Sequence, residues 1–210
     1  MTATQQKIPR ASRKIPKYLI YEQWGGKIYY RKGYQDVLKG IKTPEEIMGS
    51  SGLQSVIVGY LIGILFTKSV RQKYFLLTNE AGLHLAKREN MAGDVAIYDK
   101  AVLRPEKVTT KYPDVPPKVV IEVDIEVELK KETELDYVFR KSARLMEFGT
   151  EKVIWAFSKI QKVFIFEPHK EPVIVSWDKD IDVFEGVSFN IAQFLAEEGI
   201  QISTTDEGRS

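Results

Sequence analysis

The sequence predicts an α/β fold built on a mixed sheet, and three observations carry that expectation. Leu53, Val56, Ile57, Tyr60, Leu61, Ile64 and Leu65 recur at helical spacing. The stretch KVVIEVDIEVEL at 118–129 alternates apolar and acidic residues, the two-residue period of a strand. The order of segments then reads helix, three strands, helix, strand, with a meander of further strands appended.

Taken in order, residues 1–17 form a basic arm, with Lys7, Arg10, Arg13, Lys14 and Lys17 and no acid. Such an arm either tracks phosphates or simply solubilises a flexible terminus. YLIYEQWGGKIYYRKGY follows as a hairpin turning at Gly25-Gly26. Residues 53–67 are the first helix, with Val58, Ile62 and Phe66 extending its apolar surface. KYFLLT is expected as a strand that NEAGLHL turns back, and GDVAIYD as the next strand. A polar connection ending in Pro116-Pro117 leads to the alternating strand. TELDYVFRKSARLMEF makes the second helix, stopped by Gly149. KVIWAFS, KVFIFEP and PVIVSW are three more strands, SFNIAQFLAEEG is a short closing helix, and a polar tail spans 199–210. Residues 18–198 are expected to form one domain.

Composition removes several chemistries. The chain has no cysteine, so disulfides and thiolate metal sites are excluded. No stretch reads as a signal peptide or membrane span, and a cytoplasmic location is expected. The net charge of +2 excludes a globally basic coat. His84 and His169 stand in no metal-ligand spacing and are expected in loops. Neither a phosphate-binding loop nor a dinucleotide fingerprint is present. Trp24, Trp155 and Trp177 read as packing residues.

Oxygen chemistry remains. Asp94 opens the GDVAIYD strand, and Glu122 and Asp124 share one face of the alternating strand. If those strands are neighbours, three carboxylates converge, and hard oxygen ligands select Mg²⁺ or Mn²⁺. Such an ion can generate hydroxide and stabilise charge on a phosphodiester. Lys141 is the best lysine to assist, on a helix face with Tyr137, Leu145 and Phe148. The competing readings are a solvated strand face for the acids and a snorkelling side chain for the lysine.

These segments resemble the PD-(D/E)XK nuclease superfamily, specifically the bacterial Uma-two group of restriction endonucleases. That group has "PDvav", "P.lviEv.S" and "K...Y...Gv..yW"; here they read GDVAIYD, PPKVVIEVDI and KSARLMEFGTEKVIW. YEQWGG is similar to an early "yE...G" and brings in Glu22. Gln54 stands where a histidine often begins the first helix, and Asp124 adds a carboxylate where the group has an apolar residue. The resemblance implies a restriction-endonuclease-like mixed sheet flanked by helices, an αβββαβ core with extra strands. It implies Asp94 and Glu122 as metal ligands, with Asp124 as an extra one, Lys141 as the catalytic lysine and Glu22 as a further acid. It also implies Mg²⁺ or Mn²⁺ as cofactor, DNA as substrate and a homodimer. The activity implied is metal-dependent DNA cleavage. The alternatives are a drifted module that binds nucleic acid or a protein without cutting, and a structural oligomer with a wet acidic face.

Overall fold

A computed structural model describes residues 14–129 and 132–202. Most of the basic arm and of the polar tail therefore lies outside the described residues. The chain opens with a hairpin, β1 (Ile20–Trp24) and β2 (Lys27–Tyr30), whose turn glycines Gly25 and Gly26 both have positive φ. A short helix α1 (Tyr34–Lys39) precedes the apolar helix α2 (Gly52–Leu65). Ser51 caps α2 by accepting from the Gln54 N–H. A separate helix α3 (Lys68–Lys73), capped by Thr67, follows where the sequence periodicity ends.

The strand expected at KYFLLT does not turn at NEAGLHL. It continues as one thirteen-residue strand, β3 (Tyr74–Ala86), paired along its length with β4 (Glu89–Asp99). The Asn-Glu pair that suggested a turn makes an irregularity instead: Asn79 and Glu80 both have positive φ, and the register shifts between Thr78 and Ala81. The actual turn lies at Lys87 and Arg88. His84 is accordingly a strand residue rather than a loop one, with Nδ1 2.8 Å from Asn90 Oδ1.

The alternating stretch is also shorter than its pattern. Strand β5 (Val119–Val123) is buried at every position and ends at Asp124, where φ turns to 61°. Beyond it the chain leaves the β4–β5 pairing and runs beside the first hairpin, with a bridge between Arg31 and Val127 and a bond from the Glu128 N–H to the Tyr30 carbonyl. Both faces of β5 are covered. Val119, Ile121 and Val123 pack with Ile57, Leu61 and Leu65 of α2, while Val120 packs with residues of α4 (Glu134–Phe148). The acidic face of this strand is therefore not wet at Glu122, which is 3% exposed.

Helix α4 begins with a capping box between Thr133 and Asp136 and stops at Gly149, which adopts φ 117°. Strands β6 (Lys152–Phe157), β7 (Lys162–Phe166) and β8 (Val173–Ser176) complete the sheet, in the order β2-β1-β4-β5-β6-β7-β8 with β3 on the other edge of β4. Among the described residues only β5 and β6 run parallel. Helix α4 supplies the crossover between them, as a parallel pair requires. A small hairpin, β9 (Ile181–Phe184) and β10 (Val187–Phe189), and helix α5 (Ile191–Glu197) close the α2 side. The molecule is thus an α/β fold with a largely antiparallel sheet between two helical layers. No helix among the described residues is long and apolar enough to cross a membrane.

Candidate active site

One edge of β4 is shared by two strands. β1 pairs with it at Asn90 and β5 pairs with it at Val95 to Ile97. Between those contacts the backbone of Ala92 has no strand to bond. Two side chains substitute: Glu22 Oε1 accepts from the Ala92 N–H at 3.0 Å, and the Lys141 ammonium donates to the Ala92 carbonyl at 2.8 Å. The fork in the sheet thus makes a polar slot inside an otherwise apolar core.

Lys141 is 1% exposed, an unusual position for a cation without partners. Its Nζ stands 2.5 Å from Glu22 Oε1 and 2.7 Å from Glu122 Oε1. Both carboxylates hold its pKa above the ordinary lysine value against the opposing effect of burial, so it stays charged. Nζ also donates to the Ala92 carbonyl, so two of its donors are spent on Glu22 and the backbone while Glu122 completes the ion pair.

Glu22 is held on every side. Its Oε2 accepts from Trp24 Nε1 and from the Tyr137 hydroxyl, each at 2.8 Å, in addition to the Lys141 and Ala92 bonds on Oε1. The Trp155 indole donates to Ser142 one turn along α4, and its ring lies edge-on to Tyr137. All three tryptophans are buried as expected, and two of them also act as hydrogen-bond donors around this site.

Glu122 is less well served. Its Oε1 is close to Lys141 but lacks an aligned hydrogen bond. Burial pushes its carboxyl up to about 8, with the charges of Asp94 and Glu22 adding to the effect and Lys141 opposing it. A Cβ on Gly93 would crowd Val120 Cγ1 at 3.1 Å, while its 3.6 Å distance from Glu122 Oε1 would be ordinary contact.

Asp94 sits across the β4–β5 pair. Its Oδ2 accepts from the Val123 N–H at 2.7 Å. Burial raises its pKa, while that hydrogen bond, Lys141 and Gln54 pull it down. At 8% exposure it is the carboxylate that reaches solvent, at a cleft of about 520 Å³ beside Ser55 and Gly59 of α2 and the Asn79–Glu80 irregularity. Gln54 is a functional neighbour that spacing alone does not reveal: buried at the start of α2, it donates to the Val123 carbonyl at 2.9 Å. Glu80, which lines the same cleft, is paired with Arg31 through two bonds of 2.9 and 2.7 Å.

The structure therefore brings Glu22, Glu122 and Lys141 into direct contact and puts Asp94 beside them. It turns Asp124 elsewhere. The Asp124 carboxylate accepts from the Ser158 N–H at 2.8 Å, past the end of β6. The third acid of the cluster is Glu22, from the first hairpin, in place of the one expected two residues after Glu122.

Among the described residues no three Asp, Glu, His or Cys side chains stand close enough to cage a metal ion. The donors present still fit Mg²⁺ or Mn²⁺, because such ions take one or two carboxylates and complete their shell with water and phosphate. Asp94 and Glu122 would be such a pair. Two carboxylates contact one ammonium, and Glu122 Oε1 has no aligned donor of its own.

No protein-family model matches the chain, and no curated protein matches it. Among solved structures it is similar to the crystal structure of a proposed nuclease belonging to DUF820, from Anabaena variabilis ATCC 29413. The TM-score is 0.61 at 14% identity, covering 83% of this chain and 89% of that one. At that identity the likeness is one of fold, and the chain shares the α/β architecture of that protein.

Proposed function

We propose that the protein is a metal-dependent nuclease that hydrolyses DNA phosphodiesters. The observation that supports this best is the contact of Glu122 with the Lys141 ammonium at a fork in the sheet, beside Asp94, which lines a solvent cleft. The fold shared with the Anabaena protein agrees with it.

Asp94 and Glu122 would hold Mg²⁺ or Mn²⁺, which when bound supplies a water of lowered pKa and offsets charge on the phosphate. Asp94 presents its carboxylate to the cleft, oriented by the Val123 N–H. Gln54 fixes the end of β5 through the Val123 carbonyl, so the two acids keep their spacing. Lys141 acts as a positioning residue: it is enclosed by Glu22, the Ala92 carbonyl and Glu122, so its charge lowers the cost of ionising Glu122. Glu22 anchors the lysine in turn.

The committed donors and full burial of Lys141 favour one second reading, a nuclease fold that binds without cutting. Supercoiled plasmid with Mg²⁺ or Mn²⁺ separates the two. Cleavage that disappears with chelator and in Glu122→Gln is the expected result. An intact plasmid, together with a melting temperature indifferent to either ion, would establish the second reading.

A further inference from the structure

The corner where α2 ends and β3 begins has chemistry that the carboxylate site does not use. Phe66, which follows the last residue of α2, is 53% exposed. The Arg71 guanidinium of α3 lies over its ring, 4.6 Å from the centroid. Lys100, next after β4, stands 4.8 Å from the centroid of Phe75 and donates to the Arg71 carbonyl. These residues line an open groove of about 680 Å³, a size that accommodates a small organic ligand.

The charge of this groove is unspent. Arg31, Arg104, Arg140 and Arg144 each pair with a glutamate. Among the described residues neither Arg71 nor Lys100 pairs with a carboxylate. Lys73, nearby, is taken by Glu185. An exposed aromatic edge beside uncompensated cations suits a ligand that has both flat apolar faces and negative charge. Nucleic acid has both, and its base faces are free to stack only when it is unpaired.

We propose that this groove is a second nucleic-acid site, one that takes a single strand. Arg71 and Lys100 meet its phosphates, and a base stacks on Phe66 or on the guanidinium plane beside it. The site is set apart from the acidic cleft. Gln54 and Phe66 lie at opposite ends of α2, about 18 Å apart by helix rise. The groove therefore contributes binding without touching the carboxylates, and its existence is independent of whether the protein cuts.

The test is fluorescence anisotropy of the full chain with a labelled oligothymidylate and an abasic oligomer of equal length, in chelator. The expected result is binding of the thymidylate about tenfold tighter than the abasic strand. Phe66→Ala weakens thymidylate binding by a similar factor with its salt dependence unchanged. Arg71→Gln reduces the slope of log affinity against log salt by about 0.7, the loss of one phosphate contact. The chelator keeps divalent ions out of the assay, so a failure of the nuclease reading leaves this result standing. No binding, equal affinity for the two strands, or variants that bind like the wild type would overturn the proposal. The last outcome would move binding to another basic element, such as the segment containing Lys7, Arg10 and Arg13.

Discussion

Two carboxylates flank the Lys141 ammonium at almost equal distance, yet their surroundings differ completely. On the β1 side Glu22 receives four hydrogen bonds, from Trp24, Tyr137, Lys141 and the Ala92 backbone. On the β5 side Glu122 Oε1 has the ammonium nearby and no aligned donor. The same residue type thus plays two parts. Glu22 closes a gap in the sheet that no strand fills, so its oxygens are fully occupied by the fold. Glu122 is buried, crowded by like charges and short of partners, so it retains a capacity to bind something else. A charged pair does not by itself mark a site; the unequal satisfaction of its two acids does.

The largest effect expected from breaking this comparison is on the β1 side. Glu22→Ala strands the ammonium beside a single carboxylate and leaves two buried ring donors unpaired. It should lower stability by about 3–5 kcal/mol, read from the urea midpoint and slope. Glu122→Gln is expected to cost much less, because burial and the neighbouring acids push the wild-type carboxyl up to about 8 and weaken its ionised state. Equal losses for the two variants would erase the distinction.

Titration sharpens the same contrast. A carboxyl raised from its ordinary 4.5 to about 8 keeps a proton in the native state that the unfolded chain has released. The unfolded state binds fewer protons in that window, so stability falls as pH rises from about 4.5 to 8. The contribution is full below that window and gone above it. Unfolding free energy measured across it should decline in the wild type more steeply than in Glu122→Gln. If a divalent ion binds Glu122 as proposed, it must displace the same proton, so any rise in melting temperature with Mg²⁺ should grow with pH up to about 8.

The sequence made part of this legible. Asp94, Glu122 and Lys141 were readable because each sits in a segment whose period identifies its element: a strand start, an alternating strand, a helix face. The hairpin acid Glu22 was reached through a resemblance, since nothing in YEQWGG indicates that β1 leaves β4 uncovered at Ala92. The alternation at 118–129 misled because period two describes any extended chain, buried on one face or on both. Whether Glu122 is wet depends on α4 lying over it, a tertiary fact. The NEAGLHL segment misleads for a related reason: an asparagine such as Asn79, tolerant of positive φ, suits a turn and an in-strand irregularity equally. Helix α3 and the β9–β10 hairpin were too short for periodicity to register.

An intermediate effect is expected at the packing behind Lys141. Ser142→Ala removes the acceptor of the buried Trp155 indole N–H, at 2.9 Å, and should cost about 1–3 kcal/mol. If the ring holds α4 in place over the fork, the Mg²⁺-induced melting shift should shrink along with stability. A variant less stable but with an unchanged shift would confine Trp155 to packing.

The smallest effect belongs to Asp124. Its backbone is in the left-handed region, at φ 61°, which asparagine tolerates nearly as well. An amide oxygen can still accept from the Ser158 N–H that the carboxylate now binds. Asp124→Asn should therefore change stability by no more than about 0.5 kcal/mol. It should leave the metal-induced melting shift as it is in the wild type, because its carboxylate faces the end of β6 rather than Glu122. A shift reduced as far as that of Asp94→Asn would return Asp124 to the ligand set. It would also mean that the chain beyond Val123 rearranges when the ion binds.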